Sequence, residues 1–435
     1  MTVVAGSIAP ATPQASSRFP FVPLLALAAM MAISAALMGS FSPVQEAVKA
    51  DMKLTDFQLS LVQGLATALP IALFQIPIGR LADRSNRVRL LSIMALSWTV
   101  GTFLTAFASG LAMLFVARML VGFGVMCSIP VGISLVADFC SPKTRGRGLL
   151  LPVTGRWLGA AGGFVLTGWL FGLLKHSDQI EFLADMAPWR STHLFLVLFG
   201  VALLLPLLVL REPARQEQTL TNASLAQVWI ELRDRRTFLL PLFIGYTAAI
   251  MADIGASIWA APLLARKFGL GPDQFGGWMG AVVFGSGMIG TVSGGFFADL
   301  GQHSARRGGI LFAAVAAVAI SVPASLFSLA PSAPIFGVML AILLLCGAVI
   351  ALVTTAALSI MVPNEIRGIA ISITLTVAGL VGYGVAPTLV TWISSIMGGE
   401  QHLGAALAIT TTTISVISFF AFLKAIANAP SAASA

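Results

Sequence analysis

Apolar runs of twenty or more residues, broken by short polar stretches, recur along the chain from Phe19 to Lys424. A run of about 20 apolar residues is long enough to cross the hydrocarbon core of a bilayer as a helix. The pattern predicts spans near 20–43, 57–79, 89–108, 111–139, 148–174 and 190–210, then 237–264, 273–299, 309–329, 333–361, 367–396 and 402–425. The expected fold is an all-α polytopic membrane protein of twelve transmembrane helices.

The polar breaks repeat as well as the apolar runs. The knot from Gly79 through Arg80, Asp83, Arg84 and Arg87 to Arg89 is echoed by Gly294, Gly295, Asp299, Arg306 and Arg307. The segment Ser141-Pro142-Lys143-Thr144-Arg145-Gly146 is echoed by Val362 to Gly368. Asp83 and Asp299 are 216 positions apart, and Arg145 and Arg367 are 222 apart. Two landmarks at nearly the same offset indicate a duplication into two pseudo-symmetric six-helix halves, 19–210 and 237–426.

Composition supports this reading. Hydrophobic residues make up 57% of the chain and charged residues 10%, and the mean hydropathy of +0.94 excludes an ordinary soluble protein. The net charge of +8 lies in short loops between spans, so it marks orientation and not a nucleic-acid surface. On the predicted spans, 17 of the 25 Lys and Arg fall on one side and six on the other. Loops rich in Lys and Arg stay inside, which predicts that both termini are cytoplasmic; the expected location is the inner membrane. Cys127, Cys140 and Cys346 lie in or at the ends of apolar runs and read as reduced packing residues.

Residues 1–18 read as a disordered cytoplasmic tail. The run from Phe19 to Met38 is longer than the apolar part of a secretory signal, and the duplication needs a first span there. The stretch 211–236 is a polar linker; Asn222 or Ser224 could cap a helix with Leu225, Val228, Trp229 and Leu232 on one face. Residues 427–435 form a second tail.

The duplicated loop motif, Gly79-x-x-x-Asp83-Arg84-x-x-Arg87 with its degenerate copy, resembles the major facilitator superfamily across about residues 19–426. Within it, Leu54 to Leu61, Pro77 to Arg87 and Arg118 to Gly124 resemble Spinster-like transporters. The resemblance implies two halves rocking around a central cavity, with Gly79, Asp83, Arg84, Arg87, Asp138, Arg145 and Asp299 forming a cytoplasmic gate. Asn86 stands where the family usually has Gly, a position Asn tolerates through left-handed backbone angles. Ile360 matches Asp138 in the second half, so the latch is expected to be asymmetric. Proton-coupled Spinster-like proteins carry acids where this chain has Leu37 and Val125, and drug antiporters carry Gly-Pro where it has Gly159-Ala160. Neither mechanism transfers by name.

Three charges fall deep inside spans: Arg118, Arg156 and Asp253. Each costs at least about 2.5 kcal/mol at a helix centre, so each is expected to face a cavity or a partner. For Asp253 the readings are a proton-coupling carboxyl or a fixed salt bridge to Arg118. For Arg118 and Arg156 they are a receptor for a carboxylate or phosphate, or helix-to-helix bonding. Tyr246, two turns before Asp253, and Trp259, six residues after it, are candidate substrate contacts or core packing.

His176, His193, His303 and His402 lack metal-like spacing, and no Gly-x-x-x-x-Gly-Lys stretch points to ATP. The expectation is therefore a monomeric, cofactor-free secondary transporter and not an enzyme, in contact with lipid, protons and a small-molecule substrate. Its substrate class is a small organic anion. The alternatives are an exporter of amphipathic, drug-like or lysolipid-like compounds, and a membrane sensor that transports nothing.

Overall fold

The computed structural model describes residues 19–141, 144–175, 185–215, 230, 232–304 and 308–430. Regular structure among these residues is helical throughout. The α-helices are α1 (Phe21–Gly39), α2 (Phe41–Met52), α3 (Asp56–Ser60), α4 (Ala66–Arg84), α5 (Arg87–Ala106), α6 (Leu111–Phe139) and α7 (Arg145–Leu174). They continue as α8 (Pro188–Val209), α9 (Arg236–Phe268), α10 (Pro272–Gln302), α11 (Phe312–Ala324), α12 (Ala333–Met361), α13 (Asn364–Ile396) and α14 (Leu403–Ala427). The tail 1–18, the proposed linker face from Asn222 to Trp229, Lys143 and the Arg306–Arg307 pair lie outside the described residues.

Eleven helical segments among the described residues are long and apolar enough to cross a membrane. Helix α8 adds 22 residues, a rise of about 33 Å. The helices often run past the apolar stretches that reveal them. Ser40 keeps right-handed helical angles, so α1 and α2 read as one segment, Phe21–Met52, where apolarity alone predicts an end near 43. The extra turns carry Glu46 and Lys49 to one end of the bundle, where they are needed below.

Local chemistry sets the ends. Thr55 and Gln58 form a reciprocal capping box at the start of α3. Asn86 has an extended backbone (φ −71°, ψ 113°), and its side chain accepts from the Arg89 amide at 2.8 Å. The left-handed role expected of it is thus corrected: Asn86 is the N-cap of α5, a position that asks for a side-chain acceptor. Gly269, at φ +67°, ends α9 with its amide bonded to Ala265, and Pro272 opens α10.

Packing follows the small residues. Gly155, Gly159 and Gly163 on α7 lie against Ala28, Ala32 and Ala36 on α1. A Cβ at Gly163 would stand 2.6 Å from the Ala36 carbonyl oxygen, and one at Gly159 would collide with that of Ala32. This repeat of four lets the two backbones touch, the form of contact that substitutes for hydrophobic drive inside lipid. Helices α1 to α8 pack mainly on one another, as do α9 to α14. The two groups meet through α7 against α10, α2 against α9, and α13 against α3, α4 and the π-helical turn Leu61–Leu65.

Candidate functional site

A cavity of about 240 Å³ lies between the two groups of helices. Its polar wall includes Gln63 from the π-helical turn, Arg156 and Trp157 from α7, Asp253 and Ser257 from α9, and Tyr383 from α13. Met38, Met126, Phe164, Leu340 and Leu344 supply apolar surface. A site that is mostly apolar with a few convergent polar groups is the usual form of a small-molecule pocket.

Of the charges expected inside the membrane, Arg156 and Asp253 both reach this cavity. Neither makes an ion pair or a hydrogen bond among the described residues, and Asp253 Oδ1 is buried without a partner. Arg118 is elsewhere. It is buried, donates from Nη2 to the Met38 carbonyl at 3.0 Å, and lies 4.9 Å from the Phe41 ring centroid. The fixed Arg118–Asp253 bridge weighed from the sequence does not form in this structure.

Tyr246 and Trp259 do not line the cavity either. Tyr246 is buried among Phe238, Leu242 and their neighbours, and Trp259 is fully buried with Nε1 donating to the Pro387 carbonyl at 3.3 Å. Helical spacing places them on a face; it does not say which neighbour covers that face. Conversely, Gln63 was not anticipated. It donates to Gln45 Oε1 at 2.8 Å, and the pair is buried. Two amides in otherwise apolar stretches were the available signal, since a buried amide needs a partner.

At one end of the bundle, charges join the two groups of helices. Arg266 of α9 forks onto Asp56 at 2.6 and 2.7 Å and onto Glu46 at 2.6 and 2.9 Å. Lys49 bonds Asp56 at 2.7 Å and also meets Glu400, whose other oxygen accepts from the Asp56 amide at 2.8 Å. Asp56 is nearly enclosed, and its two cationic partners hold its pair of oxygens in place. Helix α13 also approaches the π-helical turn closely: a Cβ at Gly64 would stand 3.0 Å from the Pro387 ring.

The loop motif lies at the opposite end. Arg87 is buried there, with Nη1 2.5 Å from Asp138 Oδ2 and 2.9 Å from Ser134 Oγ, and Nε 2.7 Å from Glu212 Oε1. The other Glu212 oxygen accepts from the Val88 amide at 3.1 Å, so Glu212 caps the positive end of α5. Arg215 donates to the carbonyls of Ala82, Asp83 and Ser85, which ties the chain beyond α8 to the loop after α4. Arg145 donates to the Ala137 carbonyl at 3.2 Å. The side chains of Asp83, Arg84 and Asp299 are exposed, and Gly79 has open space beside it.

Residues 25–387 match the family described as Major Facilitator Superfamily. The chain belongs to the major facilitator superfamily. It is accordingly a membrane transporter and not an enzyme. A 108-residue stretch, 25% of this chain and 19% of the relative, is 35% identical to the multidrug resistance protein B homolog of Mycobacterium tuberculosis. Another of 197 residues, 44% of this chain and 41% of the relative, is 27% identical to the sialic acid transporter NanX of Escherichia coli. The chain thus spans less than half the length of each.

The fold resembles that of a bacterial homolog of the human lysosomal transporter Spinster in an inward-facing, unoccupied conformation. The TM-score is 0.80 at 22% identity, covering 96% of this chain and 100% of that one. The nucleoside transporter NupG matches with a TM-score of 0.71 at 14% identity over 93% of this chain and 99% of that one. The Spinster likeness is one of fold and agrees with the stretches around Asp56, Asp83 and Arg118 that resemble that group.

Proposed function

We propose that this transporter carries a small organic anion across the inner membrane by alternating access, with proton coupling. Its helices act as two six-helix halves, twelve spans in all, joined by the 211–236 linker with both termini in the cytoplasm. One observation carries the substrate class: Arg156 and Asp253 share the cavity, and among the described residues neither makes an ion pair or a hydrogen bond. A guanidinium stays ionised and forks onto planar anions, so Arg156 receives the carboxylate. Asp253 carries the proton that accompanies it, since an ionised carboxyl at this depth is costly without a partner. A relative named for sialic acid transport supports an acid as cargo.

In this reading the Arg266 cluster is the outer gate, here closed, and the Asp83 motif is the inner gate. Its bonds suit that role. Lys49, Arg266 and Glu46 keep partial contact with solvent and Asp56 is enclosed, so ion pairs weakened by that contact can hold one state without locking it.

The test is uptake of labelled carboxylates into proteoliposomes under an imposed pH gradient. Accumulation that collapses when the gradient is dissipated supports the reading; flux of no carboxylate in the panel contradicts it. The second reading, export of amphipathic compounds, draws on the Met38, Met126 and Phe164 surface of the cavity and on the multidrug relative. It predicts transport of lipophilic cations or lysolipids in the same vesicles.

A further inference from the structure

Behind Asp253 lies a second, much smaller space of about 10 Å³, walled by α9, α11, α12 and α14. It shares only Asp253 with the lining of the central cavity, so this carboxyl is the partition between the two. The remaining polar wall is Ser321, Ser415 and Ser418.

A serine hydroxyl has one proton to give and two lone pairs to accept with. Ser321 donates to the Val318 carbonyl at 2.8 Å, and Ser418 donates to the Gly245 carbonyl at 2.7 Å. Both oxygens then present lone pairs alone. Asp253 Oδ1 is buried with no hydrogen-bond partner, and it has room because position 347 is glycine: a Cβ there would stand 2.9 Å from it. With Asp253 ionised, three of the four polar groups are thus acceptors, and among the described groups of this wall only the Ser415 hydroxyl has a proton left to give.

A pocket of acceptors calls for a cation or a donor. Carboxylate and hydroxyl oxygens are hard ligands and suit hard cations. A single carboxylate balances a single positive charge, which disfavours a divalent ion. The volume is that of about one water molecule, so a bare sodium or potassium ion can enter and choline cannot; sodium, the smaller of the two, comes closer to the carboxylate oxygen and is held more strongly by it. We propose that Asp253 and the serines behind it form a sodium site within the C-terminal group of helices. The proposal deepens the reading of Asp253 as the coupling group by naming an ion for it besides the proton.

The test needs no substrate. Thermal unfolding of the full-length protein in detergent is followed at constant ionic strength while sodium replaces potassium or choline. The expected result is a saturable rise in melting temperature with sodium alone, because an ion that binds only the native state stabilises it. Ser415→Ala and Ser321→Ala should need about tenfold or more sodium for half the rise, and Asp253→Asn should show none. Each variant is compared with itself in choline, so a general loss of stability does not hide the result. Equal melting temperatures of the native protein in the three salts overturn the sodium site, as does a sodium effect that survives in Asp253→Asn. Either result leaves anion transport and proton coupling to stand or fall on the flux assay.

Discussion

Arg156 and Asp253 face one cavity from α7 and α9, opposite in charge and with no ion pair among the described residues. If they were bonded to each other they would be a structural strut. Apart, they are a cation and a carboxyl waiting on ligands, and the energetic cost of holding each inside a membrane is met when cargo arrives.

Replacing Arg118 should damage the fold and spare the chemistry. In Arg118→Gln, the contact with the Phe41 ring is lost and the Met38 carbonyl is left with a weaker partner or none. An unsatisfied buried group costs about 1–3 kcal/mol. The melting temperature should fall, while the apparent affinity of the surviving folded protein for its anion stays within about twofold.

Asp253→Asn should separate flux from the proton. Uptake driven by a pH gradient is expected to vanish, while exchange of labelled for unlabelled anion persists, because a neutral amide keeps the cavity formed and carries no proton. Gradient-driven accumulation at the native level in the variant would remove Asp253 from coupling.

Arg266→Gln should loosen the closed end. It removes the forks to Glu46 and Asp56 and leaves the enclosed Asp56 with Lys49 as its one described side-chain cation. Since the cluster is partly exposed, the shift is expected at roughly 1–2 kcal/mol, below the 3–5 of a fully buried broken pair. A cysteine introduced at Ser42, on the cavity wall, should then react several-fold faster with a thiol reagent added from that side.

Asp83→Asn tests the gate at the opposite end. Asp83 is exposed here, so this conformation should melt at an unchanged temperature. If Asp83 latches the halves when the cavity faces outward, net transport should fall while stability does not.

Much of this architecture can be read along the chain. The runs 111–139, 309–329 and 333–361 coincide with helical segments in the structure, because there the turns at both ends sit where apolarity stops. Legibility fails where helices outrun the apolar core, as α2 does with Glu46 and Lys49. It fails again where a site is assembled from distant stretches: Glu46, Asp56, Arg266 and Glu400 are separated by up to 354 positions, and each alone is an ordinary polar residue at a helix end. Arg156 and Asp253 stand out because charge inside an apolar run is costly wherever the run folds. Arg118 carries the same signal with a different outcome, since it meets a carbonyl and an aromatic face in the fold while its Nε stays buried without a hydrogen-bond partner. Tyr246 and Trp259 show the limit of periodicity on a helix as enclosed as α9, where most faces meet protein.

The most direct test is ligand-induced stabilisation of the native protein and Arg156→Gln by a panel of carboxylates, with Arg118→Gln alongside. A carboxylate that raises the melting temperature of the native protein and of Arg118→Gln, but not of Arg156→Gln, is the predicted result. The same rise in all three proteins would contradict the assignment of Arg156 as the anion receptor.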